Sequence, residues 1–295
     1  MGLPTIPSYQ MPTTGDLPEN RVTWEVDRDR AVLLIHDMQQ YFLNAYDQEQ
    51  SPIPELVNNI EKLKKQCKAL GIPVVYTAQP GDQDPKDRAL LTDFWGDGLT
   101  DDESVTKIID TITPDEEDLV LTKWRYSAFK RTSLQSFLEA TGRDQLIITG
   151  VYAHIGCLVT ATEAFMEDVQ SFLVADAIAD FSVEKHQMAL NYVATRCGVT
   201  TTLEQVLNAV QPQDDLQFAS FEGLRERVAE LLDQSPDELT GQENLLDVGL
   251  DSIRLMSVRE ELRQEGVDVD FVTLAENPTL NDWWAKITEY QKQSV

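Results

Sequence analysis

The sequence predicts two domains: an α/β domain of Rossmann-type layers on a doubly wound parallel sheet, and a small all-α domain of four helices. Short β-rich runs alternate with helical patterns over residues 21–210. From about Leu216 onward the apolar spacing is helical throughout. A chain of 295 residues that is 42% hydrophobic can bury one full-sized core and a second small one.

Strands and helices are expected to alternate along the first domain. Because such alternation implies parallel strands joined by right-handed crossovers, helices should cover both faces of the sheet. Active sites in these sheets lie at the carboxyl ends of the strands, which directs attention to the polar residues that follow each one. The runs predicted as strands are 31–35, 73–77, 119–121, 146–149, 172–175 and 199–202.

The first predicted strand is followed by His36 and Asp37. Asp37 is the first carboxylate after a buried run, so it is expected to be partly desolvated, with a raised tendency to hold a proton. The alternative is that Asp37 caps the next helix. His36 points to the other side of the strand and is predicted to be packed rather than to act as a base.

The third and fourth predicted strands end in further candidate residues. Lys123 follows its strand as Asp37 follows the first, so the two side chains can converge at one edge of the sheet, although an isolated lysine is more often on the surface. The fourth strand ends in a turn from Gly150 to Cys157 that leads into a helix. A strand-to-helix turn of this kind presents backbone N–H groups to a bound anion.

The second domain contains an exposed serine at the start of a helix. Gly249 permits a tight turn, Asp251 stands where an N-cap residue would stand, and the residues after Ser252 form an amphipathic pattern. A short turn over 269–274 and a last helix with Trp283 and Trp284 complete the pattern. The alternative for Ser252 is an ordinary helix cap.

Charge and cysteine usage narrow the possible partners and the compartment. The net charge of -27 is against nucleic-acid binding, since a phosphate backbone has to be neutralised by basic residues. No metal-ligand spacing is present, no apolar run is long enough to cross a bilayer, and residues 1–20 resemble a strap rather than a signal peptide. Three scattered cysteines predict reduced thiols in a cytoplasmic protein: Cys67, Cys157 and Cys197.

The three strand ends together resemble the isochorismatase-like, or cysteine hydrolase, superfamily. Its amidase members place an aspartate, a lysine and a nucleophilic cysteine at these positions, and Asp37 and Lys123 match the first two. Gly156 falls at the nucleophile position, and Cys157 comes one residue later, which on a helix turns the side chain by about 100°. Glycine in place of the cysteine implies the isochorismatase branch of the superfamily. Cleavage of the enol ether of isochorismate needs an acid rather than a nucleophile, and Asp37 is the candidate acid.

The same resemblance implies a set of substrate contacts. Isochorismate carries two carboxylates, so an acidic protein must supply cations locally, and Lys123, Arg125 and Arg88 are the candidates. Individually, tryptophan and phenylalanine at such positions are more often core, and arginine is more often solvated. A non-proline cis peptide is expected near Ala153 and His154. The substrate-contacting residues implied are Gln79, Arg88, Trp95, Tyr152, Phe42 and Arg125, with Tyr41 beside Phe42.

Residues 217–291 resemble the aryl carrier domains of nonribosomal siderophore synthesis, with Ser252 at the attachment site of 4'-phosphopantetheine. The whole chain resembles the bifunctional isochorismatase and aryl carrier proteins of catechol siderophore biosynthesis, of the enterobactin and vibriobactin type. The predicted boundaries are 1–210 for the isochorismatase-like domain, 211–216 for a linker and 217–291 for the carrier. By this likeness the products are 2,3-dihydro-2,3-dihydroxybenzoate and pyruvate, and the cargo of the carrier is 2,3-dihydroxybenzoate.

The resemblance also implies partners. They are a 2,3-dihydroxybenzoate-AMP ligase, a phosphopantetheinyl transferase and a condensing nonribosomal synthetase, which would contact Ile253, Met256 and the turn around Val269 and Phe271. Mg²⁺ is expected to act during transfer of the arm, near Asp251, without a permanent metal site. Self-association is expected through the α/β domain.

Two other classes of function remain open at this point. One is a cysteine-dependent amidase that uses Cys157 and is fused to a carrier domain. The other is a scaffold whose first domain has lost its activity while Ser252 is still loaded.

Overall fold

The computed structural model describes residues 3–210, 218 and 220–293. The chain separates into two compact units, residues 1–210 and 211–295. In the described part of the first unit, six parallel strands form one sheet in the order β3-β2-β1-β4-β5-β6. The strands are β1 (Ala31–His36), β2 (Val74–Ala78), β3 (Leu119–Thr122), β4 (Gln145–Val151), β5 (Gln170–Ala179) and β6 (Gly198–Thr201).

The central strand β1 is apolar from Ala31 to Ile35 because it is buried on both faces. In β1, Leu33 and Ile35 join one hydrophobic core while Val32 and Leu34 join the other, as the two-residue period of a strand requires. The helices of this unit are α1 (Gln40–Leu43), α2 (Ile53–Ala69), α3 (Pro85–Arg88), α4 (Leu91–Trp95), α5 (Glu103–Thr106), α6 (Leu134–Thr141), α7 (Leu158–Met166), α8 (Val183–Arg196) and α9 (Leu203–Val210).

Helices cover both faces of the sheet. Apolar side chains of α2 and α9 pack into the first core, and those of α6, α7 and α8 pack into the second. The fold class predicted for this unit is therefore confirmed. The order of strands reverses between β1 and β4, and ligands of such sheets bind at the carboxyl ends of the strands near this point.

The N-terminal segment lies against the α/β unit, as a strap would. Ile6 is buried and bridges to Tyr46. The Tyr9 hydroxyl accepts a hydrogen bond from the Asp180 backbone N–H over 2.7 Å and lies 3.0 Å from Nδ1 of His186. The strap therefore contacts the residue that follows β5.

The second unit has its own helical core. Its described helices are α10 (Phe221–Leu231), α11 (Ser252–Gln264), α12 (Phe271–Glu276) and α13 (Leu280–Gln293), and Trp283 is fully buried among their apolar side chains. The prediction of a turn over 269–274 was wrong, because Asp270 caps a six-residue helix there by accepting a hydrogen bond from the N–H of Thr273. The predicted linker, 211–216, lies outside the described residues.

No helix in the described ranges is both long enough and apolar enough to cross a membrane.

Candidate functional site

Asp37 lies at the carboxyl end of β1 and lines a cavity. Its carboxylate accepts hydrogen bonds from Nζ of Lys123 over 2.8 Å and from the Thr77 hydroxyl over 2.6 Å. The amide of Gln79 is 3.4 Å from Oδ2 of Asp37. Three neighbouring strand ends thus meet on one carboxylate, as the parallel sheet predicts.

The backbone at Asp37 explains how its side chain reaches this position. Asp37 has a φ of 50°, a left-handed conformation that aspartate tolerates better than most residues. Its side chain does not cap the next helix, because the N-cap residue of α1 is Gln39. Strained backbone of this kind is often found at functional sites.

The pKa of Asp37 departs from the sequence prediction. Burial alone would raise the pKa, but the Lys123 ammonium, the nearby His36 and the hydrogen bonds from Lys123 and Thr77 together lower it below the usual value. The tendency to hold a proton that burial by itself predicts for Asp37 is therefore outweighed in the protein without substrate. The reason is the ion pair between Asp37 and Lys123. Lys123 is buried, and not on the surface as an isolated lysine usually is.

Three cationic side chains line the cavity, and they differ in their pairing. Lys123 is bound to Asp37, and Nη1 of Arg125 donates to the Asp87 carbonyl over 2.8 Å. Arg88 is 4% exposed, and its Nε donates to the Gly96 carbonyl over 2.5 Å. Among the described residues, Nη1 of Arg88 is buried without a hydrogen-bond partner. A buried unpaired guanidinium nitrogen is costly unless a ligand satisfies it.

A glycine allows Arg88 to occupy this position. Gly98 has a φ of 85°, and a Cβ placed there would overlap the Arg88 guanidinium. The guanidinium therefore packs directly against the Gly98 backbone. The sequence reveals neither the burial of Arg88 nor this contact, because both depend on the path of the loop between β2 and β3.

Aromatic side chains form the rest of the wall. The Trp95 indole N–H donates to the Tyr126 hydroxyl over 2.8 Å, and the Tyr152 hydroxyl donates to the Phe42 carbonyl over 3.0 Å. Burial raises the pKa of Tyr152 well above its usual value, so its hydroxyl stays protonated. Tyr41 also lines the cavity. These rings supply an apolar surface with polar edges.

The turn after β4 places a glycine, and not a cysteine, at the cavity. Gly156 lines the cavity, whereas the Cys157 side chain packs in the second core of the α/β unit. Burial is the largest influence that raises the pKa of the Cys157 thiol far above its usual value. A buried thiol of this kind is inert.

All nine residues predicted for the site of the α/β domain line this one cavity. The expected cis peptide near Ala153 is instead the Val151–Tyr152 bond, at the end of β4. His36 is buried as predicted, but its ring also borders the cavity. The cavity residues that the sequence reading missed are Leu3, His36, Leu91, Gly98, Leu99, Tyr126, Val151 and Ile155.

The residues that the sequence analysis missed differ in whether the sequence could have indicated them. Tyr126 could have been found, since it follows β3 three residues after Lys123. Most of the others come from the N-terminal segment or from the loop between β2 and β3, whose paths no local pattern predicts.

Ser252 is the first residue of α11 and is exposed. Asp251 caps the helix by accepting hydrogen bonds from the N–H groups of Ile253 and Arg254 over 3.0 and 2.9 Å. Gly249 has a φ of 111° in the turn that precedes the helix. The hydroxyl of Ser252 is thus accessible at a helix N-terminus, which suits attachment of a phosphate-containing group.

Apolar residues around Ser252 are exposed to different degrees. Ile253 is 80% exposed and Met256 is 59% exposed. Phe271 is half-buried against the core of the second unit, and Val269 belongs to that core. Of the two possibilities for Val269, surface or core, the structure therefore shows the core, whereas Val272 on α12 is exposed.

Within the described ranges, no group of three or more His, Cys, Asp or Glu residues could hold a metal ion. The three cysteines are free and buried.

Comparison with protein families gives two matches. Residues 31–205 match the isochorismatase domain, and residues 222–287 match the phosphopantetheine attachment site.

Several relatives match along nearly the full chain. An isochorismatase of Bacillus subtilis (strain 168) is 55% identical over 99% of this chain and 97% of its own length. Enterobactin synthase component B of Escherichia coli (strain K12) is 48% identical over 99% of this chain and 100% of its own length.

Among solved structures, a cysteine hydrolase from Pseudomonas syringae pv. phaseolicola 1448A has a TM-score of 0.59 and 22% identity. The match covers 65% of this chain and 96% of that chain. Because the identity is this low, the likeness shows a shared fold alone.

Proposed function

Because the chain belongs to the isochorismatase family, we propose that its first unit hydrolyses the enolpyruvyl ether of isochorismate. The products are 2,3-dihydro-2,3-dihydroxybenzoate and pyruvate. We propose residues 1–210 as the catalytic domain, 217–291 as the carrier domain and 211–216 as the linker. The relatives named isochorismatase and enterobactin synthase component B support this assignment.

The unpaired Nη1 of Arg88 is the observation that carries the proposal for the substrate. The chain has a net charge of -27, yet one carboxylate and three cations line its cavity, and one of those cations has a buried nitrogen without a partner. A substrate carboxylate would satisfy that nitrogen through a charge-assisted hydrogen bond. Arg125 and Lys123 are the further cations available to a dianion.

Asp37 is the proposed acid. Protonation of the methylene carbon of the enol ether gives an oxocarbenium ion, and the proton comes from the carboxyl group of Asp37. Asp37 is ionised by its ion pair with Lys123 before substrate binds. A substrate carboxylate that competes for Lys123 weakens this ion pair, and burial then raises the pKa of Asp37.

Water completes the reaction. It adds to the cationic carbon and returns a proton to the Asp37 carboxylate, which leaves a hemiketal. The hemiketal hydroxyl then loses its proton to form the ketone of pyruvate, the bond between that carbon and the ring oxygen breaks, and the ring oxygen takes up a proton and leaves as an alcohol. No covalent bond to the protein forms, in keeping with Gly156 at the cavity and Cys157 in the core.

The second unit is proposed to carry 4'-phosphopantetheine on Ser252. The exposed hydroxyl at the start of α11 and the match to the phosphopantetheine attachment site support this. When bound, the arm supplies a thiol that holds an acyl group as a thioester. The protein's part is to present Ser252 and to keep α11 capped through Asp251.

The proposed cargo is 2,3-dihydroxybenzoate, and the proposed partners are those of nonribosomal siderophore assembly. A phosphopantetheinyl transferase would modify Ser252 with Mg²⁺ near Asp251, a 2,3-dihydroxybenzoate-AMP ligase would load the arm, and a condensing synthetase would accept the acyl group. Exposed Ile253 and Met256 support a docking surface there, and Phe271 is its proposed edge. The enzyme's product must be oxidised before it becomes the cargo.

We further propose a cytoplasmic location and self-association of the α/β unit. The three free cysteines support a reducing compartment. Exposed apolar side chains on α7 and α8, including Phe165, Met166, Met188 and Tyr192, support an interface between copies. Light scattering of the purified protein checks this, and a monomer at all concentrations rejects it.

Two assays test the proposed function. Pyruvate release from isochorismate, followed with a coupled lactate dehydrogenase, tests the first unit, and no release above the uncatalysed rate rejects it. Intact mass after incubation with coenzyme A and a phosphopantetheinyl transferase tests the second. The expected result is one phosphopantetheine adduct that Ser252→Ala abolishes, and an unchanged mass of the parent chain rejects the carrier assignment.

The amidase alternative is not favoured, because Cys157 is buried away from the cavity and the full-length relatives do not support it. An unchanged rate of pyruvate release in a Cys157→Ala variant is the result expected here. Loss of all release in a folded Cys157→Ala protein would instead support the amidase.

A further inference from the structure

Gly156 and His36 occupy one small volume beside Asp37. A Cβ built on Gly156 would overlap Cε1 of the His36 ring, and it would lie 2.7 Å from Nε2 and 3.0 Å from Nδ1. Real Cβ atoms essentially never lie closer than 3.0 Å to another heavy atom of this kind. Any side chain at position 156 would therefore have to displace the imidazole.

The ring cannot move away easily, because it is buried and a backbone carbonyl accepts a hydrogen bond from it. Nδ1 of His36 lies 2.8 Å from the Val151 carbonyl at the end of β4, and Nε2 lies 3.3 Å from the Tyr126 carbonyl after β3. A carbonyl can only accept, so the shorter contact indicates that Nδ1 carries the proton. His36 is 1% exposed, and displacement would leave its Nδ1–H and the Val151 carbonyl without this hydrogen bond.

The ring also borders the reacting groups. Nδ1 of His36 is 3.8 Å from Oδ2 of Asp37, the oxygen that accepts the hydrogen bond from Lys123. Burial is the largest influence that lowers the pKa of His36 to about 4, so the imidazole is neutral near neutral pH. The ring thus fills space beside the Asp37–Lys123 pair without adding a charge.

We infer that His36 and Gly156 form a matched pair that determines the class of reaction at this site. The imidazole excludes a side chain, and therefore a protein nucleophile, from position 156, and leaves acid catalysis by Asp37 as the chemistry available. The inference deepens the proposed function and rests on it for the identity of the reaction. His36 is a specificity-determining residue in this sense, and it is not a proton donor.

A double-mutant cycle on stability tests the shared volume. Gly156→Ala in the parent chain should lower the Tm of the α/β unit by roughly 3 to 10 °C, since a forced methyl group in a packed site typically costs about 1 to 3 kcal/mol. His36→Val removes the ring and keeps a side chain suited to β1. In that background Gly156→Ala should lower the Tm less than half as much, and an equal loss in both backgrounds overturns the inference.

A labelling experiment tests the chemical consequence in the full chain. In His36→Val with Gly156→Cys, iodoacetamide should add one carbamidomethyl group at position 156, as the thiolate attacks the methylene carbon and iodide leaves. The parent should gain none while folded, because Cys67, Cys157 and Cys197 are buried. Peptide mapping after labelling locates the adduct.

The comparison that decides the matter is between the double variant and Gly156→Cys alone. Labelling at position 156 should be at least tenfold faster in the double variant, and equal rates in two folded proteins show that His36 does not block the position. Neither readout uses isochorismate. A chain that shows the non-additivity but releases no pyruvate therefore contradicts the proposed reaction and leaves the shared volume established.

Discussion

At the scale of single residues, the function depends on how Asp37, Lys123 and Arg88 divide their charges. Lys123 neutralises Asp37 in the protein without substrate, so Arg88 is the buried cation whose Nη1 remains for a ligand among the described residues. The sequence predicts that Asp37 and Lys123 converge, but it does not show that Arg88 is the cation left for a ligand. In the structure Lys123 binds Asp37, whereas Nη1 of Arg88 is available to a ligand.

Replacement of Asp37 by asparagine should lower kcat for pyruvate release by about 100-fold or more, because an amide cannot donate the proton that general acid catalysis requires. The matched control is Ser252→Ala, which should leave the rate unchanged. Pyruvate release is measured with both variants folded, as judged by circular dichroism. An Asp37→Asn protein with parental turnover contradicts the assignment of the acid and supports a different proton source.

Activity should depend on pH through Asp37. The acid form donates the proton, and the ion pair with Lys123 lowers the pKa of Asp37 in the free protein, so kcat/KM should rise as the pH falls from neutral toward that pKa. In the complex the substrate weakens the ion pair, so kcat should persist to higher pH than kcat/KM does. Profiles of both constants check this, and a kcat/KM that rises with pH would sink the mechanism.

Replacement of Arg88 by glutamine should raise KM by roughly 10-fold to 100-fold with a smaller effect on kcat. Hydrogen bonds to charged groups contribute about 1.5 to 3 kcal/mol, and about 1.4 kcal/mol corresponds to a factor of ten. Arg30→Gln is the control, because Arg30 is exposed and pairs with Asp144 away from the cavity residues. An unchanged KM for Arg88→Gln means that its buried guanidinium does not bind the substrate.

At the scale of secondary-structure elements, the ends of strands and helices position the chemistry. Residues that follow β1, β3 and β4 meet in one cavity because parallel strands end at the same edge of the sheet. The start of α11 presents Ser252 in the second unit. In both units the polar groups stand at element ends, where side chains can leave the packed interior.

The cap of α11 gives a prediction at this scale. Asp251→Ala should lower the stability of the second unit by about 1 kcal/mol, because the N–H groups of Ile253 and Arg254 lose their acceptor. Asp251→Asn should retain most of that stability. Chemical denaturation followed by tryptophan fluorescence measures the difference, and equal losses for both variants would show that the cap is not what stabilises the helix.

At the scale of the whole molecule, the two units have separate cores and separate sites. The cavity residues all belong to the first unit, and Ser252 belongs to the second. The proposed product of the first unit is not the proposed cargo of the second, so no direct transfer between the sites is required.

This separation predicts functional independence in the full chain. Ser252→Ala should abolish the phosphopantetheine adduct without change in pyruvate release, and Asp37→Asn should lower pyruvate release by about 100-fold or more without change in the adduct. The two assays described above measure these outcomes on the same protein preparations. A Ser252→Ala protein with lost turnover would show that the carrier is needed for catalysis, contrary to this expectation.

Periodicity alone determined the α/β layers and the helical second unit, because burial on one or both faces dictates where apolar residues recur. It also identified Asp37 and Lys123, since each follows a predicted strand, and it placed Ser252 at the start of a helix. Resemblance to a family added Gln79 and Arg88. These inferences needed only neighbours along the chain.

Tertiary structure alone decided what depends on neighbours distant in sequence. The ionisation of Asp37 is set by Lys123, 86 residues away, which reverses the effect that burial would have by itself. The unpaired state of Arg88 depends on a loop with no periodic pattern, and the exclusion of a side chain at Gly156 depends on a ring from β1. Sequence thus specified which groups are present, and packing specified which of them remain available for chemistry, because charge pairing and excluded volume act through space.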